Sequence, residues 1–311
     1  MGILDSLLGR RAKGPLRPKD DDLFDDEFQR KLDVLSLVSR RVFSGKSRAE
    51  RRTKKSGSGV EFKDHRDYVE GDDLRYLDWS VYQRFGKLQT RLYEEEEDLS
   101  VYVLLDTSTS MGFGDGEKLR HGKRIAAALA YVALANLDRV GVLSVRDAVN
   151  RTMQPTRGKQ RIFRVFEFLR ALSPDGLTEL GPALRAFSAQ QKRRGLAVLV
   201  SDLYDPRGFE EGINALRYAK FEVLVIHLKD AREESPRLHG DVRLYDCETG
   251  EEREVTVTPK VLSRVKQAYA AYGDEIARFC KSKQVTYVPA DVTVPFDELV
   301  LRVFRSGGFL R

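Results

Sequence analysis

The sequence predicts an α/β protein: a doubly wound, mostly parallel sheet with an N-terminal α+β extension and an inserted β-hairpin near residues 242–258. Two observations predict it. From residue 99 onward, short apolar runs alternate with longer segments of helical periodicity, the order expected of strand–helix units in a parallel sheet. The run 196–201, Leu-Ala-Val-Leu-Val-Ser, is apolar almost throughout, as a strand covered on both faces must be.

Residues 1–22 are polar and rich in Gly, Pro and charge, and read as a disordered lead-in. Residues 23–98 form an N-terminal region and 99–311 the α/β domain. In the first, 23–43 follow helical spacing, with Leu32 and Leu35 on one face and Phe28 one heptad before Leu35. Gly45 to Gly59 carries six lysines and arginines, ends in Ser-Gly-Ser-Gly and has no apolar anchor, which predicts a mobile basic loop over 45–59. The acidic run Glu94–Asp98 reads as a solvated face or the approach to a strand. In the second, strands are expected over 100–105, 139–146, 196–201, 222–228 and 285–288. Helices are expected over 119–137, 160–172, 180–191, 209–219, 260–283 and 296–304, and Pro182 falls in a first turn, where its missing N–H does no harm. Residues 242–258 alternate on both sides of Glu248-Thr249-Gly250-Glu251, the pattern of a hairpin.

The net charge is +6, but acidic and basic residues balance over 1–98, so the excess is spread thinly. A nucleic-acid binder concentrates its positive charge, because neutralising phosphates drives binding. The composition therefore argues against nucleic acid, with the 45–59 loop as the one segment through which it could bind. Cys247 and Cys280 are too few for a disulfide framework or a thiolate cage, and both read as reduced thiols. No apolar run approaches the ~20 residues of a membrane span. The first residues have only a short apolar run before their basic residues, so the expected location is cytoplasmic; Gly2 and Ser6 fit only the loose myristoylation pattern. The four histidines show no ligand spacing, and His227, inside an apolar run, reads as structural. A Gly-rich phosphate loop with its lysine and a nucleophile elbow in its strand–turn–helix setting are both missing.

The expected strand 100–105 ends directly in Asp106-Thr107-Ser108-Thr109-Ser110-Met111-Gly112. In an open parallel sheet, ligands bind beyond the carboxyl ends of strands, where strand order reverses. Residues 106, 108 and 110 can turn toward one point while 107 and 109 turn away. Two further oxygen donors sit in matching places: Thr178, in the loop before the helix at 180, and Asp202, at the end of the strand 196–201. Five hydroxyl or carboxylate donors make a hard-ligand set suited to Mg²⁺, Mn²⁺ or Ca²⁺ and poorly suited to Zn²⁺ or Cu²⁺. Singly, each has a plainer reading: Asp106 or Ser110 as a cap on the following segment, Thr178 as a helix cap. Asp205 is the alternative acid if Asp202 is not the ligand.

Asp-x-Ser-x-Ser, then a loop Thr, then a strand-end Asp, resembles the metal-ion-dependent adhesion site of von Willebrand factor A domains, a fold of Rossmann-like winding. The resemblance implies direct contact of Ser108, Ser110 and Thr178 with the ion, with Asp106 and Asp202 acting partly through water. It also implies an open coordination position for a carboxylate from a protein partner. A second motif lies upstream: Gly59-Val60-Glu61-Phe62, Arg66-Asp67-Tyr68 and Gly71-Asp72-Asp73-Leu74-Arg75-Tyr76-Leu77-Asp78-Trp79. With the later Asp-x-Ser-x-Ser-Met it resembles the bacterial family called domain of unknown function 58. Members of that family often accompany MoxR-type AAA+ ATPases, so the resemblance implies an ATPase partner. Arg66, Asp72, Asp73, Arg75 and Asp78 are the candidate partner-facing residues. From the residues alone, a local role is the favoured reading: Asp72 and Asp73 pairing with Arg66 or Arg75, and Trp79 anchoring a core, with an exposed partner surface as the sharper alternative.

Function therefore narrows to a non-enzymatic, metal-dependent interaction module. A haloacid-dehalogenase-type phosphotransfer enzyme also places an Asp at the end of its first parallel strand. It needs a second Asp two positions later as general acid, and Ser108, a hydroxyl of high pKa, cannot fill that role near neutral pH.

Overall fold

The computed structural model describes residues 23–43, 52–57, 61–96 and 100–306; the expected disordered lead-in, 1–22, lies outside them. Helix α1 (Asp26–Phe43) is followed by β1 (Arg52–Gly57), β2 (Glu61–Asp67), α2 (Trp79–Phe85) and β3 (Gln89–Glu96). The three strands form an antiparallel sheet in the order β1-β3-β2. Residues 52–57 are therefore a strand rather than part of a basic loop; the rest of 45–59 lies outside the described residues. The reason is non-local: the backbone of β1 lies in register with that of β3, Arg52 opposite Glu96 and Gly57 opposite Tyr93.

The chain continues through β4 (Ser100–Asp106), α3 (Glu117–Ala135), β5 (Arg139–Val145), β6 (Val149–Thr156), α4 (Ile162–Arg170), α5 (Leu180–Gln190), β7 (Leu196–Ser201), α6 (Glu210–Tyr218), β8 (Glu222–Lys229) and α7 (Ala231–Glu234). The hairpin β9 (Gly240–Tyr245) and β10 (Glu252–Val257) follows, then α8 (Pro259–Ser282), β11 (Thr286–Asp291) and α9 (Phe296–Ser306). The main sheet is six-stranded, in the order β11-β8-β7-β4-β5-β6, and mostly parallel; only β6 is antiparallel to its neighbour. Counted within that sheet, the order is 3-2-1-4-5-6, the doubly wound arrangement that reverses between its first and fourth strands, here β4 and β7. The fold class expected from sequence is thus the one observed.

Strand β6 carries no sequence signal. Val-Asn-Arg-Thr-Met-Gln-Pro-Thr is polar because the strand is an outer one with little to bury. Pro155 in β6 and Pro289 in β11 place a proline in each outer strand, a sheet position where a missing N–H is tolerated.

Alternation along the inner strands supplies two apolar layers. Val101, Val103 and Leu105 of β4, with Val198 and Val200 of β7, face α1, α3, α4 and α9. Tyr102, Leu104, Leu143 and Leu199 face α5, α6 and α8. Each fully buried aliphatic side chain contributes about 1.5–3 kcal/mol of transfer free energy. Helix α3 is buried nearly all round, and its alanines 126–128 and 130 let it lie close to the sheet. Helix α1 belongs to the same core: Phe24 stacks on Phe166 at 4.4 Å and Phe28 meets Phe296 at 4.5 Å. No helix among the described residues is long and apolar enough to cross a membrane.

Candidate metal centre

All seven residues of β4 are buried, and the strand delivers Asp106 to the switch point fully enclosed. One carboxylate oxygen of Asp106 accepts the Ser108 N–H at 2.9 Å, and the other accepts the Ser201 hydroxyl at 2.5 Å. The first bond is the local turn anticipated as the plainer reading of Asp106; the second joins the end of β4 to the end of β7. The turn places Ser108 and Ser110 side by side, their Oγ atoms 3.0 Å apart. Thr107 and Thr109 point elsewhere, Thr107 to the Ser144 hydroxyl (3.1 Å) and Thr109 to the Gly176 carbonyl (2.9 Å). The alternation read from the sequence is the alternation observed.

Thr178 reaches the same rim because its loop is sewn to the first one. Asp175 N–H donates to the Thr107 carbonyl (2.9 Å) and Thr109 N–H to the Gly176 carbonyl (3.0 Å). Thr178 is buried but does not cap α5. That task falls to Asp205, whose carboxylate accepts the Leu180 N–H at 2.7 Å and the Arg207 N–H at 2.8 Å. Asp205 is thereby engaged, while Asp202, just past the end of β7, takes Lys118 and the Tyr204 N–H (3.3 Å). The chain turns sharply after it: Leu203 is buried in the left-handed region at φ 62°. Such a conformation costs a side-chain-bearing residue about 1–3 kcal/mol. It is held by the Leu203 N–H bond to Ser201 Oγ (2.8 Å) and the Tyr272 hydroxyl bond to the Leu203 carbonyl (2.5 Å).

Two carboxylates, Asp106 and Asp202, are enclosed together. Burial, and then the charge of Asp202, push the Asp106 carboxyl up to about 7. Part of the compensation is a residue that sequence reasoning missed. Lys118, in the first turn of α3, is fully buried, with Nζ 2.9 Å from Asp202 Oδ2 and 2.5 Å from Glu233 Oε1. The ammonium also lies 5.5 Å from the Phe113 ring centre and 5.2 Å from that of Tyr204. Burial pushes Lys118 down, and the Asp202 and Glu233 carboxylates more than offset it, so it is held above the usual lysine range. Burial raises Glu233 despite Lys118. The partners of Lys118 lie 84 and 115 residues along the chain, beyond any local pattern. The second missed residue is Glu248, at the tip of the β9–β10 hairpin. Its carboxylate accepts the Thr178 hydroxyl at 2.6 Å and the Thr178 N–H at 3.1 Å.

The donor set suits a hard divalent ion. An octahedral Mg²⁺ holds oxygens at about 2.1 Å, which sets neighbouring ligands about 3 Å apart; the Ser108 and Ser110 oxygens are separated by 3.0 Å. Among the described residues no three His, Cys, Asp or Glu side chains converge as ligands. A site here therefore has to draw most of its donors from hydroxyls, and a soft-metal site is not formed.

The upstream residues lie at the end of β2 and in the connection from β2 to α2, and pair locally. Arg66 bonds both oxygens of Asp72 (2.6 and 2.7 Å), and Arg75 bonds Asp73 (2.6 Å). Asp78 caps α2 through the Ser80 and Val81 N–H groups (2.9 and 3.2 Å) and contacts His65 and Arg91 at 2.8 Å each. Arg91 and His65 hold the Asp78 carboxyl far below the usual range. Trp79 is not a core anchor: it is 58% exposed, while Leu77, two residues earlier, takes the buried place at 5%. Helix α2 is too short to bury both faces.

A family model described as a protein of unknown function, DUF58, matches residues 64–275. An uncharacterized protein of Mycobacterium tuberculosis and one of Mycobacterium bovis are each 28% identical over 262 residues, covering 83% of this chain and 82% of theirs. Among solved structures, BatB of Bacteroides thetaiotaomicron is similar with TM-score 0.43 and 16% identity over 68% of this chain and 98% of its own. An aerotolerance-related membrane protein of Bacteroides fragilis gives TM-score 0.43 and 15% identity over 67% and 98%. Proximal thread matrix protein 1 of the mussel byssus, with zinc in its MIDAS motif, gives 0.39 and 14% over 68% and 48%. With the family model matching well over half of the chain, from within β2 through the candidate centre, the chain belongs to the DUF58 family.

Proposed function

We propose that the protein is a non-enzymatic, metal-dependent protein-interaction module, with Asp106, Ser108, Ser110, Thr178 and Asp202 as its metal-holding residues. The observation that carries this is the pair of adjacent hydroxyls, Ser108 and Ser110, at the switch point beside two enclosed carboxylates. Ser108, Ser110 and Thr178 would hold Mg²⁺, Mn²⁺ or Ca²⁺ directly, and Asp106 and Asp202 would balance its charge. A bound ion supplies an electrophilic anchor for a carboxylate of a protein partner. The chain's own residues do the positioning: Ser201 fixes Asp106, Asp205 fixes the start of α5, and Lys118 holds Asp202. Both oxygens of Asp106 are committed to such bonds, which supports a positioning role for this carboxylate over that of a phosphotransfer nucleophile. The family likeness supports a MoxR-type AAA+ ATPase as the partner and the cytoplasm as the place of action, with Arg66, Asp72, Asp73, Arg75 and Asp78 as a second contact region.

The test is calorimetric titration of Mg²⁺ and Mn²⁺ into the wild type and Ser108→Ala. Saturable binding to the wild type, weakened at least tenfold in the variant, is the expected result; no binding to either protein refutes the proposal. A pull-down of a MoxR-type ATPase with and without EDTA tests the partner separately.

A further inference from the structure

The hairpin β9–β10 reaches the candidate centre from a part of the chain 70 residues beyond Thr178. Its arms are polar and largely exposed on both faces. A two-stranded hairpin with so little apolar contact has a weak hold on the body of the protein. The tip, by contrast, is well formed. The Asp246 carboxylate accepts the N–H groups of Glu248 (2.9 Å) and Thr249 (2.8 Å), Asp246 N–H donates to the Glu251 carbonyl (2.9 Å), and Gly250 N–H donates to the Asp246 carbonyl (2.9 Å). Gly250 takes the left-handed φ of 73° that closes the turn. The outcome is a rigid tip that presents one carboxylate, and that carboxylate grips the hydroxyl and N–H of Thr178, a residue 1% exposed.

Resting on the metal-centre reading above, we infer that Glu248 is an internal carboxylate ligand of that centre, occupying the position a partner's carboxylate would take. The 2.6 Å between Glu248 Oε1 and Thr178 Oγ1 is within about half an ångström of the separation of neighbouring oxygens around an octahedral ion. A shift of that size replaces a hydroxyl–carboxylate hydrogen bond with two bonds to one cation. The hairpin is then a tethered competitor. A partner gains the ion only by displacing Glu248, and the weakly held arms let the tip swing away at small cost.

The experiment is Mn²⁺ titration of the full chain as wild type, Glu248→Gln and Glu248→Ala, with hydrogen exchange over 240–257 recorded in each. The expected result is a loss of Mn²⁺ affinity of roughly tenfold or more in both variants, with affinity of Glu248→Ala restored by added acetate. Mn²⁺ should also slow exchange in the hairpin of the wild type and leave that of Glu248→Gln unchanged. Unaltered or tighter Mn²⁺ binding by the variants overturns this inference while leaving the metal centre standing, and marks Glu248 as a structural partner of Thr178. A wild type that fails to bind Mn²⁺ overturns both. Because residue 248 is on an exposed hairpin, folding of the variants is not at issue.

Discussion

Replacing Asp106 by Asn should stabilise the metal-free protein while abolishing its response to metal. A carboxyl whose folded-state pKa is raised from 3.8 to about 7 disfavours folding wherever both states are ionised, by about 4 kcal/mol at pH 8. Asparagine escapes that cost, but its single carbonyl oxygen keeps only the Ser108 N–H bond while its amide N–H has to donate to Ser201 Oγ, giving back about 1–2 kcal/mol. The variant should therefore be about 2 kcal/mol more stable than the wild type at pH 8 in EDTA. The sign with pH follows: as pH falls through 7, the folded wild type takes up a proton that the unfolded chain does not. It regains about 3 kcal/mol by pH 5, and the two proteins converge. His121 and His227 titrate in the opposite sense but are common to both and cancel in the difference. Mg²⁺ at a hundredfold its dissociation constant should then stabilise the wild type by about 2.7 kcal/mol, leave the variant unmoved and so reverse their order. Urea unfolding at pH 5 and 8, with EDTA or Mg²⁺, measures all three differences. A variant less stable than the wild type at pH 8 in EDTA, by an amount independent of pH, refutes the account of Asp106 as a carboxylate enclosed at a cost.

Four further outcomes are expected. Lys118→Met leaves Asp202 and Glu233 enclosed without their cation and should cost about 3–5 kcal/mol at pH 7. The loss should shrink as acid neutralises the carboxylates, as urea titration at two pH values would show. Burial holds His227 and His121 near 4, so folding loses stability as pH falls from 6.5 to 4; His227→Phe should flatten that limb in a pH series of thermal melts. Leu105→Ala, at a fully buried position of β4, should lower unfolding free energy by about 2–5 kcal/mol. Trp79→Gln should change stability by no more than about 0.5 kcal/mol, and the emission of this sole tryptophan should be that of a water-exposed indole.

Much of the fold was legible because it is written in burial. The inner strands β4, β7 and β8 are apolar on both faces, and the helices that cover them carry their periodicity openly. Strands β1, β2, β3 and β6 were missed, because each exists as one side of a ladder whose other side lies elsewhere in the chain; β6, an outer strand, also has little to bury, and the signal lies in the partner. The same division runs through the site. Asp106, Ser108 and Ser110 sit within five residues of a strand end, so one local motif exposes them. Thr178 and Asp202 could be placed because each ends or precedes a recognisable element. Lys118 and Glu248 carry no local mark, since a first-turn lysine and a hairpin-tip glutamate are ordinarily solvated, and only the folded chain brings them to the carboxylates and to Thr178. Trp79 was misread for the converse reason: large aromatic residues are usually buried, and nothing in Leu77-Asp78-Trp79 tells which of the two apolar residues turns inward.

The prolines in the two outer strands make the main sheet finite. A sheet grows when an edge offers a continuous row of N–H and C=O groups to another chain, and Pro155 and Pro289 each interrupt that row. Neither margin can template a long intermolecular strand, from a second copy or from an extended peptide. Recognition is thereby channelled to the ends of the strands, to the helices and to the small N-terminal sheet, and partially opened molecules are denied the simplest route to fibrous aggregation.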